Sequence, residues 1–306
     1  MNPEVLVPLL AAAVQSGTPI LYATLGEILT ERSGILNLGV EGIMLVGALA
    51  AFLAARLTGS PVVGFLIGGL CGALLAGVHG MVCLGFRGNQ VVSGLALTIL
   101  GTGLANYLGT PFVGKASPGF DAVAVPLLSR VPLLGPILFR HDLLVYASYL
   151  VPALLWLYLR YTRWGLALRA VGEYPEAAEA SGLRVVGYRW IGVLAGGCLM
   201  GFGGAYLSLA YTHLWTNGLT AGRGWIAVAL VIFAFWKPWR AMLGAYLFGG
   251  VMAFQFRLQA TGTHLPSSLL LMLPYALTVA VLVVSSWKGR GDEAPAALGT
   301  NIEPPD

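Results

Sequence analysis

Charge is what this chain has least of. Only 10% of its 306 residues are Asp, Glu, Lys or Arg, against roughly 25% in an average soluble domain. A soluble chain of this length must clothe its core in polar surface. There is too little here, which excludes a soluble enzyme and a disordered protein. The net charge of +4 is spread along the chain rather than gathered in a patch, which excludes a nucleic-acid binder. Cysteine is scarce. Cys71, Cys83 and Cys198 lie in apolar stretches without metal or redox spacing and read as small packing residues. His79, His213 and His264 are isolated and read as structural or interfacial, with no metal site expected. No Ser/His/Asp or paired-acid arrangement supports catalysis, so a membrane-embedded enzyme is a distant third reading. Met1 to Glu4 carry no basic residue before the first apolar run, so no cleaved signal peptide is expected.

Apolar residues are what the chain has in abundance, at 57% with a mean hydropathy of +0.80. The length accommodates about nine or ten spans of ~20 residues. The pattern predicts an all-α integral membrane protein with about nine segments: 5–29, 34–57, 61–86, 89–112, 142–160, 188–211, 224–237, 239–258 and 268–287. Each is rich in Leu, Ala, Val and Gly, as expected of helices that pack through small residues in lipid. Residues 1–287 then form the transmembrane domain and 288–306 a polar, disordered cytoplasmic tail. The loop over 113–140 carries Pro118, Pro126, Pro132 and Pro136 and is expected to be extended.

Eleven of the 17 Lys and Arg fall on one set of connections and six on the other. By the positive-inside rule this places the 161–187 connection and the C-terminus in the cytoplasm, with the N-terminus outside. Residues 17–112 and 188–287 read as two halves of an inverted repeat, each with a polar, Gly-bearing break before its second segment. One break holds Asn37 and Glu41, the other Asn217 and Arg223. Matching breaks point to a transport path, and Glu41 and Arg223 are expected to pair across it.

Between Arg169 and Leu183 lies the longest connection on the basic side. Pro175 fits the first position of a short helix, Glu176 and Glu179 favour its N-terminal end, and Gly182 fits the residue past its end. The resulting helix of about seven residues is Ala-rich and suited to docking in a groove, or is simply a solvated loop helix.

The run Arg169-Ala-Val-Gly-Glu-Tyr-Pro-Glu-Ala-Ala-Glu-Ala-Ser-Gly182 resembles the coupling loop of ABC-importer permeases. Residues 26–47, 89–97 and 220–230 are similar to signatures of the nucleoside and simple-sugar importer permeases that work with a lipoprotein of the basic-membrane-protein type. The order and spacing fit over roughly 17–287. Two departures stand out: Tyr174 where the family usually has Asn, and Phe233 to Pro238 where it more often carries Gly-Arg-Trp.

The resemblance implies a bacterial or archaeal cell-membrane permease subunit that moves nucleosides inward, with ribose or another simple sugar as the alternative substrate. It implies that an ABC ATPase subunit docks at Gly172, Glu173, Pro175, Glu176, Ala177, Ala178 and Gly182. A second homologous permease and an external substrate-binding lipoprotein would complete the transporter. ATP is then used by the ATPase; this chain has no Gly-x-x-x-x-Gly-Lys-Ser/Thr loop and is expected to bind no cofactor. An ion-coupled secondary transporter using a carboxylate such as Glu41 is the rival.

Polar residues within spans usually face the interior. Asn37, Glu41, Asn89, Ser93, Asn217 and Arg223 are candidates for the path, as are the aromatics Phe202, Tyr206 and Trp215. Hydrogen-bonding groups suit a neutral, hydroxyl-rich solute, and aromatic faces suit a nucleobase. The opposing readings are helix capping and an interfacial Glu31–Arg32 pair for the acids, interhelical bonding for the neutral groups, and a membrane-interface belt for the aromatics.

Overall fold

The computed structural model describes residues 3–262, 266–287 and 294–300. It is helical almost throughout. In chain order the helices are α1 (Pro3–Glu31), α2 (Val40–Thr58), α3 (Pro61–Gly80), α4 (Gln90–Gly109), α5 (Leu134–Leu138), α6 (Leu143–Tyr161), α7 (Arg163–Glu173), α8 (Pro175–Ala180), α9 (Val185–Tyr206), α10 (Arg223–Ala234), α11 (Pro238–Ala260), α12 (Ser267–Leu271) and α13 (Leu273–Trp287). Two-residue strands β1 (Val123–Ala124) and β2 (Arg140–His141) pair antiparallel.

Seven helices among the described residues are long and apolar enough to cross a membrane, and Arg223–Ala234 and Leu269–Val281 are shorter apolar helices. The nine expected segments therefore resolve into seven long helices and shorter apolar pieces. α10 stops at Ala234 because Phe235 and Trp236 turn left-handed, at φ 52° each, before Pro238 opens α11. The last segment splits at Met272, where Pro274 in the first turn of α13 offers no N–H to continue the run.

Local chemistry sets the other boundaries. Gly59, at φ 73°, closes α2, and its N–H donates to the Ala55 carbonyl. Ser60 then caps α3, whose first residue is Pro61. Asn89, Asp142 and Thr162 cap α4, α6 and α7 with side-chain oxygens. The 113–140 loop is not simply extended. It contains the β1–β2 pair, a single helical turn at 128–130 and α5, in which Pro136 occupies the first turn, where a missing N–H costs nothing.

Glycine brings the long helices together. α1 and α9 run antiparallel, with Gly26 against Gly196 and Gly203 against Pro19. Gly72 and Gly68 of α3 approach Gly197 and Gly201 of α9, while Gly17 of α1 meets Ala245 and Gly249 of α11. A methyl on any of these would overlap a neighbouring backbone, which is why the contacts use glycine. The packing is reciprocal between the halves. α3 lies on α9 as α11 lies on α1, and α2 packs on α3 and α4 as α10 packs on α11 and α13. Outward faces of α3 and α4 stay apolar, with Leu66, Leu70, Leu74, Ile99 and Leu104 exposed, as a surface facing lipid or a second apolar subunit requires.

We call the end of the bundle that carries Arg160, Arg163 and Arg184 the basic end, and the end that carries β1 and β2 the hairpin end. At the basic end, the backbone at Gly172 packs on Arg32 and Gly34 just past α1. Residues 294–300 return to this end. Ala297 is buried, and Ala294 and Leu298 pack against the main core. The part of the tail described here is therefore ordered, contrary to the expectation of a disordered 288–306. Apolar Ala297 and Leu298 have a surface to bury against, which the polar composition around them hid.

Candidate functional site

The two polar breaks meet. Glu41, in the first turn of α2, reaches across to the break before α10. Its Oε1 accepts from the Thr220 hydroxyl at 2.6 Å and the Gly222 N–H at 2.9 Å, and its Oε2 accepts from the Gly224 N–H at 2.6 Å. The carboxylate thus satisfies backbone donors that α10 leaves open at its N-terminus, where negative charge is favoured. Gly224 permits this approach, since a Cβ there would lie 2.5 Å from the Glu41 backbone.

The depth of this meeting follows from α10. Its C-terminal end lies at the basic end, where the Trp236 indole N–H donates to Glu31, the last residue of α1. Twelve residues at 1.5 Å rise make about 18 Å, so its N-terminus stands about that far along the helix from the basic end.

Arg223 does not pair with Glu41. No guanidinium nitrogen comes within 4.0 Å of its carboxylate. Arg223 is instead buried, donates to the Thr220 carbonyl at 3.1 Å and lies 5.5 Å from the Tyr211 ring centroid. The charge stays inside because an aromatic face and a carbonyl receive it. Glu41 is already occupied by the three donors of the break.

The first break, residues 34–39, is held from several helices. The Asn37 N–H donates to Glu27 Oε1 at 3.1 Å, and the Asn37 side chain accepts from the Gly39 N–H at 2.9 Å. Leu36 donates its N–H to Gln90 Oε1 at 2.7 Å, and its carbonyl lies 3.0 Å from His79 Nε2. A carbonyl only accepts, so Nε2 carries the proton. Nδ1 then accepts from Ser93, 3.0 Å away. Thr98 donates to the Leu38 carbonyl. Irregular backbone survives inside a bilayer only when its polar groups are satisfied in this way. Two buried atoms are left over, Glu27 Oε2 and Asn37 Nδ2.

The remaining candidates have separate places. Asn89 caps α4, accepting from the Val92 N–H, and Ser93 is engaged by His79, so the two side chains have different partners despite their helical spacing. Phe202 stacks on Phe65 at 4.3 Å, Trp215 is fully buried beside Phe52, and Tyr206 is fully buried. The aromatic path candidates are thus engaged in packing at separate places. Asn217 is exposed, and the neighbouring Gly218 N–H donates to Asn106. His213 Nε2 lies 3.3 Å from the Phe120 carbonyl, and His264 falls outside the described residues. Thr220, Gln90 and Trp236 contribute more to the site than their sequence context signals. Only the polarity of Thr220 and Gln90 within or beside apolar runs pointed to them.

At the basic end, α8 forms over Pro175–Ala180 with Pro175 in its first turn. Gly182, at φ 82°, closes it, and the Leu183 N–H donates back to the Ala178 carbonyl at 3.0 Å. Ala178 is buried while Glu176, Ala177 and Glu179 are exposed. α8 therefore presents a small, acidic outer face. It follows α7, which buries Leu168 and Val171. Glu173, the last residue of α7, lies 3.7 Å from Arg32. Tyr174 provides no side-chain cap.

Residues 9–282 match the family described as branched-chain amino acid transport system / permease component. The chain is 46% identical over 256 residues to the putative glucose ABC transporter permease protein TsgC13 of Haloferax volcanii, covering 82% of this chain and 78% of that protein. It is 36% identical to the nucleoside ABC transporter permease protein NupC of Lactococcus lactis, over 93% of each chain. With the guanosine ABC transporter permease protein NupQ of Bacillus subtilis it shares 32% identity, over 97% of this chain and 96% of that one. No solved structure matches.

Proposed function

This chain belongs to the family of transport-system permease components and is a multi-pass ABC transporter permease subunit; we propose that it forms the membrane path of an ATP-driven importer of nucleosides. The observation that carries the coupling half of this reading is α8, a short capped helix that offers exposed Glu176, Ala177 and Glu179 at the basic end. A small outer face fits a groove on a separate ATPase subunit, and Gly172, Glu173, Pro175, Ala178 and Gly182 shape and anchor it. ATP is bound and hydrolysed on that partner. The basic end is cytoplasmic. An external binding lipoprotein delivers substrate at the hairpin end, and a second permease completes the path.

The path passes the junction of the two breaks, where Glu41 meets the 217–224 segment. Asn37 and Arg223 hold the walls beside it. Asn89, Ser93, Phe202, Tyr206 and Trp215 brace the surrounding helices from separate places through capping, hydrogen bonding or packing, and exposed Asn217 offers a free amide. The antiparallel α1–α9 pair and the reciprocal packing support two inverted halves, 17–112 and 188–287.

Nucleoside relatives that match along almost the whole chain support the nucleoside reading. A glucose-type sugar is the second reading. It draws on the 46% identity to TsgC13 and on the candidate aromatics being taken up in separate packing contacts rather than gathered for a base. The test is uptake in proteoliposomes holding the permeases, the ATPase and the binding protein, with labelled nucleoside and labelled glucose compared with and without internal ATP. Nucleoside uptake that needs ATP is expected. ATP-dependent uptake of glucose alone would establish the sugar reading, and ion-driven uptake without ATP would reject the importer.

A further inference from the structure

Residues 294–300 add a second link between the base of α8 and the first break, which also touch where Gly172 packs on Arg32 and Gly34. At one edge, the Ala297 N–H donates to the Gly172 carbonyl at 3.0 Å, and the Ala296 N–H donates to Glu173 Oε2 at 3.2 Å. Gly172 and Glu173 are the last residues of α7, directly before α8. At the other edge, the Thr300 carbonyl accepts from Gln90 Nε2 at 2.9 Å. The same Gln90 side chain, nearly fully buried, accepts from the Leu36 N–H through Oε1 at 2.7 Å. Leu36 lies in the break that leads to Glu41. A single amide therefore grips the tail with one atom and the first break with the other.

These bonds close a ring that runs from the base of α8 through the tail and Gln90 to Leu36. It returns through the tight contact of Gly172 with Arg32 and Gly34. Ala297 is 6% exposed and Leu298 packs on the core, so the segment is seated rather than draped over the surface. The Arg32–Glu173 ion pair spans the same junction directly, but at 3.7 Å and with the Glu173 side chain 41% exposed it is a weak tie. The backbone bond from Ala297 to Gly172, at 3.0 Å, and the part-buried bond from Gln90 to Thr300, at 2.9 Å, are shorter.

We propose that residues 294–300 are a positioning element that carries movement of α8 to the 34–39 break and the start of α4, making the tail part of the coupling machinery. The proposal rests on α8 being the ATPase dock. The tail touches neither ATP nor solute. It acts by keeping the base of α8, Gln90 and Leu36 in one rigid unit, so that displacement of α8 also displaces the break instead of being absorbed by the loop.

The test uses the complete transporter in proteoliposomes and measures solute taken up per ATP hydrolysed, ATPase binding and ATP turnover. Ala297→Pro deletes the N–H that holds Gly172, whereas Ala297→Gly keeps it. Ala296→Pro, at an exposed position, deletes the bond to Glu173 and serves as the second variant should Ala297→Pro fail to assemble. Uptake per ATP is expected to fall roughly tenfold in Ala297→Pro, and less in Ala296→Pro, with Ala297→Gly within about twofold of the parent, because a buried acceptor left unpaired is costly. ATPase binding and turnover stay at the parent level. Unchanged uptake per ATP in both proline variants overturns the proposal, as does an equal loss in Ala297→Gly, which would assign the effect to the buried methyl. Loss of ATPase binding in the proline variants would make the segment part of the dock and also overturn it. Glu173→Arg, run in parallel, separates the two readings. If it keeps ATP-driven uptake, α8 is not the dock. If it abolishes uptake while the proline variants couple normally, only the tail proposal fails.

Discussion

Replacing Glu41 by alanine removes the acceptor for three donors at once: the Thr220 hydroxyl and the N–H groups of Gly222 and Gly224. Hydrogen bonds to a charged group contribute about 1.5–3 kcal/mol each, and an anion at a helix N-terminus adds up to ~2 kcal/mol in partly buried geometry. The sum is not realised in full, because Glu41 is partly exposed and the freed donors find other partners. A loss of about 3–5 kcal/mol is expected, in line with breaking a buried charged contact from one side. Glu41→Gln retains a carbonyl for Thr220 and Gly222 but turns an amide N–H₂ toward the Gly224 N–H, at a cost of about 1–3 kcal/mol. Thermal unfolding of the purified transporter in detergent, together with ATP-driven uptake, measures both. Alanine should lower both strongly and glutamine partially. Wild-type stability and uptake in Glu41→Ala would refute the bridging role. Since Glu41 and Arg223 form no ion pair, combining Glu41→Gln with Arg223→Gln should recover none of the stability lost in the single variants. Recovery in the double variant would restore the discarded pair.

Other positions follow from the same geometry. Trp236→Phe leaves the Glu31 carboxylate without its indole donor and should cost about 1–3 kcal/mol by thermal unfolding. A leucine at Gly204 meets the Met44 carbonyl oxygen of α2, and the overpacking should destabilise by at least about 1–3 kcal/mol and lower assembly in the membrane. In a chain freed of its native cysteines, Cys at exposed Glu176 should resist an impermeant thiol reagent on intact cells while Cys at exposed Pro118 reacts. External labelling at 176 would invert the orientation.

The long helices were legible because apolar runs of that length have few alternatives; Asn89, read as a path candidate, proved to cap α4. α8 was legible through Pro175 and Gly182. α7 was missed because only one of its faces is apolar. Thr162 before it and Leu168 and Val171 three apart were the available signals. The breaks could be located from their polar, Gly-bearing composition, but not their partners. Thr220 lies 179 residues from Glu41 in the chain, and no local pattern distinguishes a carboxylate that takes backbone donors from one that pairs with a nearby arginine. The aromatic residues carried the opposite error. Their residue type made them path candidates, whereas Phe65 and Phe52, from α3 and α2, draw Phe202 and Trp215 into separate contacts. The tail was judged on composition, which contains no information about the surface it meets.

The most direct test of the account is a cross-link. With native cysteines replaced, Cys at Ala177 on the outer face of α8 and Cys at Gly59, at the opposite end of α2, are each paired with a short bifunctional thiol–amine reagent in membranes holding the full transporter. A product is expected between the Ala177→Cys permease and the ATPase subunit, changing in yield with ATP, and none from Gly59→Cys. Absence of the Ala177 product in a transporter that still hydrolyses ATP and imports solute would contradict it.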